Sequence, residues 1–393
     1  CLMSMGNILN NIQSNPTETH RFLSWWFGDD TVDMDSLVSI MRIHPTEPRN
    51  RSYVFSIKEV LDAVETSGLD SLIYDQSGSY YDLYFSVGTL KTRPEKNKRG
   101  SLKHVGTVSG VWIDLDVKEG AFPDNQSVRD FLNSLEVVPS AVVYTGSGGA
   151  HAYWKFKKPQ TAEVVKNVAL SWWAYQTSLS AYPIDKLCDP TRILRLPGSI
   201  RWPKNTEQTP ATVDVIYTGL TYSVDDLLSV SSEAFESYTA RIQNNKKRIE
   251  TGIFNGMKAL ESFNPSHGDN FWSNLITISH IEDWFNDTYD WYGILNAKGW
   301  TYLGVDDMDR NMWSRPDGGM RKSATTDWPE SPHVMSLFST APETGLSDLL
   351  ESGIPLTKYR VYVELFCGSD DGLAISTLKE SILRDKDYWD RLR

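Results

Sequence analysis

VSGVWIDLDV, residues 108–117, decides how the rest of the chain is read. The run is short, rich in Val, Ile and Trp, and without helical spacing, which marks a buried strand. It ends on Asp114 and Asp116. Side chains alternate along a strand, so the two carboxylates are expected on the same face. Downstream, SVRDFLNSLEV (127–137) has helical spacing, SAVVYTGSG (140–148) is a strand running into glycines, and HAYWKF (151–156) is a strand continuing from them. TAEVVKNVALSWWAYQTSL (161–179) reads as a long amphipathic helix, RILRLPGS (192–199) as an extended segment closed by a Pro-Gly turn, and ATVDVIYTG (211–219) as the strand that closes the sheet. Upstream lie a short helix at FLSWWFG (22–28), strands at SLVSIMRI (36–43) and SYVFSI (52–57), a helix at SIKEVLDAVETSGL (56–69) and a strand at DLYFSVGTL (82–90). A basic loop, TRPEKNKRGSLKHVG (92–106), leads back to the starting strand.

Strands and helices alternate with hairpins, and neither GxGxxG nor GxxxxGK[ST] occurs. The expected fold class is therefore α+β, a mixed or antiparallel sheet covered by helices, rather than a doubly wound dinucleotide fold. With 393 residues the chain is long enough for more than one core. The reading divides it into a polar N-terminal segment (1–16), a catalytic domain (17–230), a polar helical linker (231–251) and a mainly helical C-terminal domain (252–393).

The net charge of −12 argues against a protein that coats nucleic acid through a broad positive field, so any such contact must be local. Basic residues do cluster: Lys91, Arg93, Lys96, Lys98, Arg99 and Lys103; then Arg192, Arg195, Arg201 and Lys204; then Lys246, Lys247 and Arg248. The three cysteines lack CxxC spacing, which points to neither a disulfide framework nor a structural zinc site. No apolar run is long enough to span a bilayer and no secretory signal opens the chain, so a cytoplasmic protein with no membrane partner is expected. The first residue is Cys1 rather than Met, as in a processed end or a piece of a longer polypeptide.

Three stretches carry chemistry. Asp114 and Asp116 form a poor core feature unless divalent cations cancel their charge, the alternative being a strand end that reaches solvent. In TGSGGAHAYW (145–154), glycines around Ser147 allow a phosphate or base to approach the backbone, and His151 follows directly; a tight hairpin with a structural histidine is the ordinary alternative. In DKLCDPTRILRLPGSIRWPK (185–204), Arg192 and Arg195 can reach a common polyanion with Asp189 upstream, or the segment is a salt-bridged loop.

WIDLD, SGGAHAYW and DPTRILRLPGSIRWPK, in this order, resemble the bifunctional primase-polymerase domain of phages and plasmids, a branch of the archaeo-eukaryotic primase superfamily. The resemblance covers about residues 17–230 and implies a palm-like sheet of RRM type. It further implies that Asp114, Asp116 and Asp189 hold two Mg2+ or Mn2+ ions. His151, together with Ser147, Gly148, Gly149, Arg192 and Arg195, would contact the incoming nucleoside triphosphate. Many members carry Ser where this chain has Gly149, and Asp185 competes with Asp189 as the third ligand. WYGILNAKGW (291–300), WSRPDGGMRKSATT (313–326) and VMSLFST (334–340) are similar to a module that follows such domains and often precedes a hexameric helicase. Primer synthesis and extension on single-stranded DNA in phage or plasmid replication, within a prokaryotic host and beside a replicative helicase, is what the resemblance implies. Expected DNA contacts are Lys91, Arg93, Lys98, Arg99, Lys103, Arg201, Lys204, Arg315 and Arg321. Two other classes remain open from the residues alone: a metal-dependent nuclease using the same acids, and a non-catalytic DNA-binding replication initiator.

Overall fold

In the computed structural model, described residues are 13–47, 50–67, 80–118, 120–205, 208–261, 277–306, 308–316, 318–338 and 345–391. The chain divides into two compact units, Cys1–Glu236 and Ser237–Arg393. Most of the polar N-terminal segment, together with residues 68–69, 317 and 339–340 of the stretches quoted for the sequence, lies outside the described residues.

The first unit runs α1 (Pro16–Phe27), β1 (Leu37–Ile43), β2 (Asn50–Ser56), α2 (Ile57–Ser67), β3 (Asp82–Ser86), β4 (Gly88–Leu90), β5 (Val105–Leu115), α3 (Asn125–Ser134), β6 (Ala141–Tyr144), β7 (Ala150–Thr161), α4 (Ala162–Leu179), β8 (Ile193–Arg195), β9 (Ile200–Arg201), β10 (Ala211–Thr212) and β11 (Asp214–Tyr217). Its main sheet has the order β11-β6-β7-β5-β4-β1-β3-β8, with β2 paired to β1. Every ladder in it is antiparallel. Helices cover this antiparallel sheet, so the fold class is α+β, as the pattern of the sequence predicts.

Strand alternation sorts the core into two faces. On β7, Tyr153 packs edge-on against Phe22 and Trp26 of α1, with ring centroids 5.7 and 5.2 Å apart. Its neighbour Trp154 turns to the other face and meets Trp172 of α4 at 5.0 Å. Burying aromatic rings of this size contributes much of a core's stabilisation, and edge-to-face geometry adds to it. The indole of Trp26 also donates to the carbonyl of Val87 at 2.8 Å, which ties α1 to the break between β3 and β4. His151, two residues before Tyr153, therefore shares the α1 face.

Helix α5 (Val224–Glu261) runs through the stretch read as a polar helical linker. The second unit adds α6 (Ile278–Thr288), α7 (Trp291–Asn296), β12 (Thr301–Val305), β13 (Asn311–Ser314), β14 (Ala324–Thr326), β15 (Ser336–Leu337), α8 (Leu346–Glu351), α9 (Lys358–Cys367), α10 (Asp371–Arg384) and α11 (Lys386–Arg391). It is mainly helical, and β12 to β15 also form an antiparallel sheet that the pattern reading passes over. Strands of two to five residues show too little alternation to stand out. Trp291, Trp300 and Trp313 are core residues here, buried with Trp284, Phe285 and Tyr359. No helix among the described residues is long and apolar enough to cross a membrane.

Candidate active site

Asp114 and His151 are direct cross-strand partners in the β5–β7 ladder, so both side chains rise from one spot on the sheet. His151 Nε2 stands 3.6 Å from Asp114 Oδ1. The imidazole is only 5% exposed, and burial, reinforced by the nearby Arg195 charge, pushes its pKa down to about 3. It is therefore neutral near pH 7, and the contact with Asp114 is not an ion pair. Its Nδ1 is buried with no hydrogen-bond partner among the described residues. Asp114 is held well above the usual carboxylate range by burial and by the negative charges of Asp116 and Asp185, with Lys118 and Arg195 opposing the shift.

Asp116 lies just beyond the end of β5, and Lys118 links it to Asp185. The ammonium donates to Asp116 Oδ2 at 2.8 Å and to Asp185 Oδ2 at 2.7 Å. Burial opposes the lysine's charge, but these two hydrogen bonds hold its pKa above the ordinary value. Asp189, the third acid in the sequence reading, is engaged elsewhere. It accepts from Thr191 Oγ1 at 2.5 Å and pairs with Arg192 at 2.5 Å, closing a local loop. Asp185 is thus the acid that Lys118 links to Asp116, because the extended stretch after α4 carries it there four residues before Asp189.

The glycine turn is built tightly. Gly146 and Gly148 take positive φ of 73° and 93°, the left-handed region that favours glycine. At Gly149 a Cβ would lie 2.5 Å from the carbonyl oxygen of Leu115, so the turn lies directly against β5. Ser147 is exposed, and its hydroxyl shares a hydrogen bond with Thr145 at 2.8 Å. Asn125, at the start of α3, donates to the Gly148 carbonyl at 3.0 Å.

Two arginines expected to meet ligand already have partners within the protein. Arg195 donates to Asp82 Oδ2 at 2.6 Å and to the Tyr84 hydroxyl at 2.9 Å, and Asp82 also accepts from the backbone of Trp202 at 2.8 Å. Arg201 is buried and clamps the carbonyl of Gly146 through two nitrogens, at 3.0 and 2.7 Å, so it secures the glycine turn where a DNA contact was expected. Lys91, Lys98, Lys103 and Lys204 are exposed, and so is Arg93, whose guanidinium donates to the Val54 carbonyl at 2.7 Å. Arg99 borders a cavity that Lys166 and Lys186 also line. Arg315 and Arg321 lie in the second unit.

Lys118, Asp82 and Tyr84 are absent from the sequence reading. Lys118 could have been found as the cation two places beyond the acid pair, and Asp82 as an acid opening an otherwise apolar strand.

Among the described residues no three of His, Cys, Asp and Glu are grouped to hold a metal ion. The donors nevertheless suit a hard divalent cation: oxygen ligands, clustered negative charge, and an Asp114 carboxylate that accepts no hydrogen bond from the described residues.

The histidine makes stability depend on pH with a definite sign. Its folded pKa lies below the ordinary 6.5, so between these values the unfolded chain binds the extra proton. The stability it contributes is complete above about pH 6.5 and is lost as pH falls toward 3. Calorimetric melting between pH 7 and 4 is expected to show a steeper fall in Tm for the wild type than for His151→Asn.

A scan against protein-family models finds no match, and a search of curated proteins finds none either. Among solved structures, the chain is similar to primase RepB′ at 15% identity, with 69% of this chain and 83% of that one covered and a TM-score of 0.39. It is similar also to the AEP domain of the cyanophage S-2L primase-polymerase, at 16% identity over 55% of this chain and 98% of that one, TM-score 0.35. A further likeness, at 14% identity over 50% of this chain and 71% of that one with a TM-score of 0.27, is to the polymerase domain of Mycobacterium tuberculosis ligase D in complex with DNA.

Proposed function

We propose that the first unit catalyses template-directed nucleotidyl transfer, making and extending primers on single-stranded DNA. Asp114 and Asp116 would hold two Mg2+ or Mn2+ ions, with Asp185 as the third acid in place of Asp189. The observation that carries the reading is the cross-strand pairing of Asp114 with a buried, neutral His151. Such ions, when bound, supply charge neutralisation at the transferring phosphate and a lower pKa for the attacking hydroxyl.

The chain's own residues contribute positioning. His151 places a neutral imidazole beside Asp114 without adding charge, a ring able to hydrogen-bond a nucleotide oxygen. The turn at Gly146–Gly149, held by Arg201 and Asn125, offers backbone that a phosphate can approach. Lys91, Arg93, Lys98, Lys103 and Lys204 would neutralise strand phosphates of template and primer, and Arg315 and Arg321 are proposed to do so from the second unit. Work beside a replicative helicase, in the cytoplasm of a prokaryotic host carrying a phage or plasmid, belongs to the same proposal.

Clustered acids gain nothing for a surface that only binds phosphate, which disfavours a purely DNA-binding role. The test uses the full chain with single-stranded template, labelled nucleoside triphosphates and Mg2+ or Mn2+, without primer. Labelled oligomers are the expected product. Shortened template with no synthesis would instead mark a nuclease.

Lys118 now occupies the space between two of the acids, so a cation must compete with it. Each exposed ion pair is worth roughly 0.2–1 kcal/mol. Lys118→Met is expected to tighten Mn2+ binding on the order of 2- to 30-fold in titration calorimetry, and Asp114→Asn to weaken it.

A further inference from the structure

A cavity of about 660 Å3 lies on the first unit, lined by residues from three separate segments. The loop before β5 supplies Arg99 and Leu102, α4 supplies Lys166 and Leu170, and the extended stretch before β8 supplies Lys186 with Cys188 to Thr191. The cavity shares no lining residue with the Asp114–His151 site. Its loop wall precedes Val105, at the end of β5 remote from Asp114.

Its chemistry is two-sided. Three cations converge on it, and the one acid among the lining residues, Asp189, is already neutralised by Arg192 at 2.5 Å. Arg99 and Lys166 carry no ion pair or hydrogen bond with the described residues, so their charge is uncompensated in a chain of net charge −12. Apolar lining comes from Leu102, which is 48% exposed, Leu170 and Pro190. The Cys188 thiol donates to the Ala169 carbonyl at 3.4 Å and is pushed up to about 12 by burial, so it lines the wall uncharged. Apolar lining with a few convergent charged groups, at this volume, is the form of a small-molecule site. Cationic and apolar lining together match a ligand with an anionic end and a flat apolar end.

We propose that this cavity is a second anion site that takes a nucleoside phosphate, its base on Leu102, Leu170 and Pro190 and its phosphate on Arg99, Lys166 and Lys186. The same chemistry is presented by a free nucleotide and by a nucleotide within a strand. The site does not rest on the acid cluster. Asp189 on its wall stands four residues from Asp185, so the extended stretch between them joins the two sites along the chain.

The experiment measures binding of labelled ATP and, separately, of a fluorescein-labelled oligothymidylate to the full chain in EDTA. Without divalent cations, the acid cluster repels both probes. Wild type is expected to bind at least one probe under these conditions. Retention of ATP identifies free nucleotide as the source, and retention of the oligonucleotide alone identifies a strand. Charge reversal at two lining positions, Arg99→Glu with Lys166→Glu, is expected to weaken binding at least tenfold with Tm unchanged. Leu170→Trp, which fills the cavity without changing charge, is expected to weaken it as well. Equal affinity in the charge-reversed protein overturns the site. So does a loss on charge reversal with none in Leu170→Trp, because diffuse surface charge then accounts for the binding. Failure of both probes to bind wild type in EDTA also overturns it, while leaving the metal-dependent assay of the acid cluster intact.

Discussion

Asp114→Asn is expected to abolish nucleotide incorporation and, at the same time, to make the protein more stable. The carboxylate sits largely buried, faces two further acids and accepts no hydrogen bond from the described residues, so folding raises its pKa. A raised carboxyl pKa means that the folded chain holds its proton longer than the unfolded chain does. The wild type therefore loses stability as pH rises from the ordinary carboxylate value through the raised folded one, and near pH 7 it bears the cost of a charge kept out of water. Asn keeps the shape and removes the charge. A gain of roughly 2–4 °C in Tm corresponds to about 1 kcal/mol in a domain of this size. Loss of one preorganised electrostatic element at a reaction centre costs on the order of 10²–10³-fold in rate. Stabilised and inactive together is the signature of a residue kept for chemistry. A lower Tm in Asp114→Asn would mark it as a structural acid, and undiminished incorporation would end the proposed enzyme.

The sheet was legible because its strands are long and regular in composition. An eleven-residue β5 and a twelve-residue β7 announce themselves through alternation and β-branched content, and their ladder brings Asp114 opposite His151. What single-sequence reading lacks is the path of irregular chain. The stretch from Ile184 to Asp189 has no periodicity to place it, so nothing in the sequence says which of its acids meets Lys118 and which folds back on Arg192. The same limit hides Asp82, whose partner is 113 residues away. Arginine is a natural candidate for a phosphate, and only coordinates reveal that a buried carboxylate has already claimed it. The small sheet of the second unit went unread for a different reason: its strands are shorter than the period needed to recognise them.

Arg195 is where the sequence reading and the structure make opposite predictions. If the guanidinium serves the triphosphate, Arg195→Ala weakens nucleotide binding and leaves the fold alone. In the structure, Asp82 is 3% exposed at its side chain and depends on Arg195 for its only side-chain counter-charge among the described residues. Removing one partner of a buried pair leaves an uncompensated charge, at a cost of about 3–5 kcal/mol. In a domain of this size that lowers Tm by roughly 6–20 °C. Because Asp82 also holds the backbone of Trp202, and β8 joins β3 through Tyr84 opposite Arg195, the damage would spread along that edge of the sheet. Replacing both partners, Asp82→Asn with Arg195→Met, is expected to recover much of the loss, since the orphaned charge is then gone. Thermal melts of the two single variants and the double one, with nucleotide affinity measured in parallel, separate the roles. A normal Tm with weakened nucleotide binding in Arg195→Ala would return the guanidinium to the triphosphate. A collapsed Tm restored in the double variant fixes it as the counter-ion on which Asp82, and the strand edge carrying it, depend.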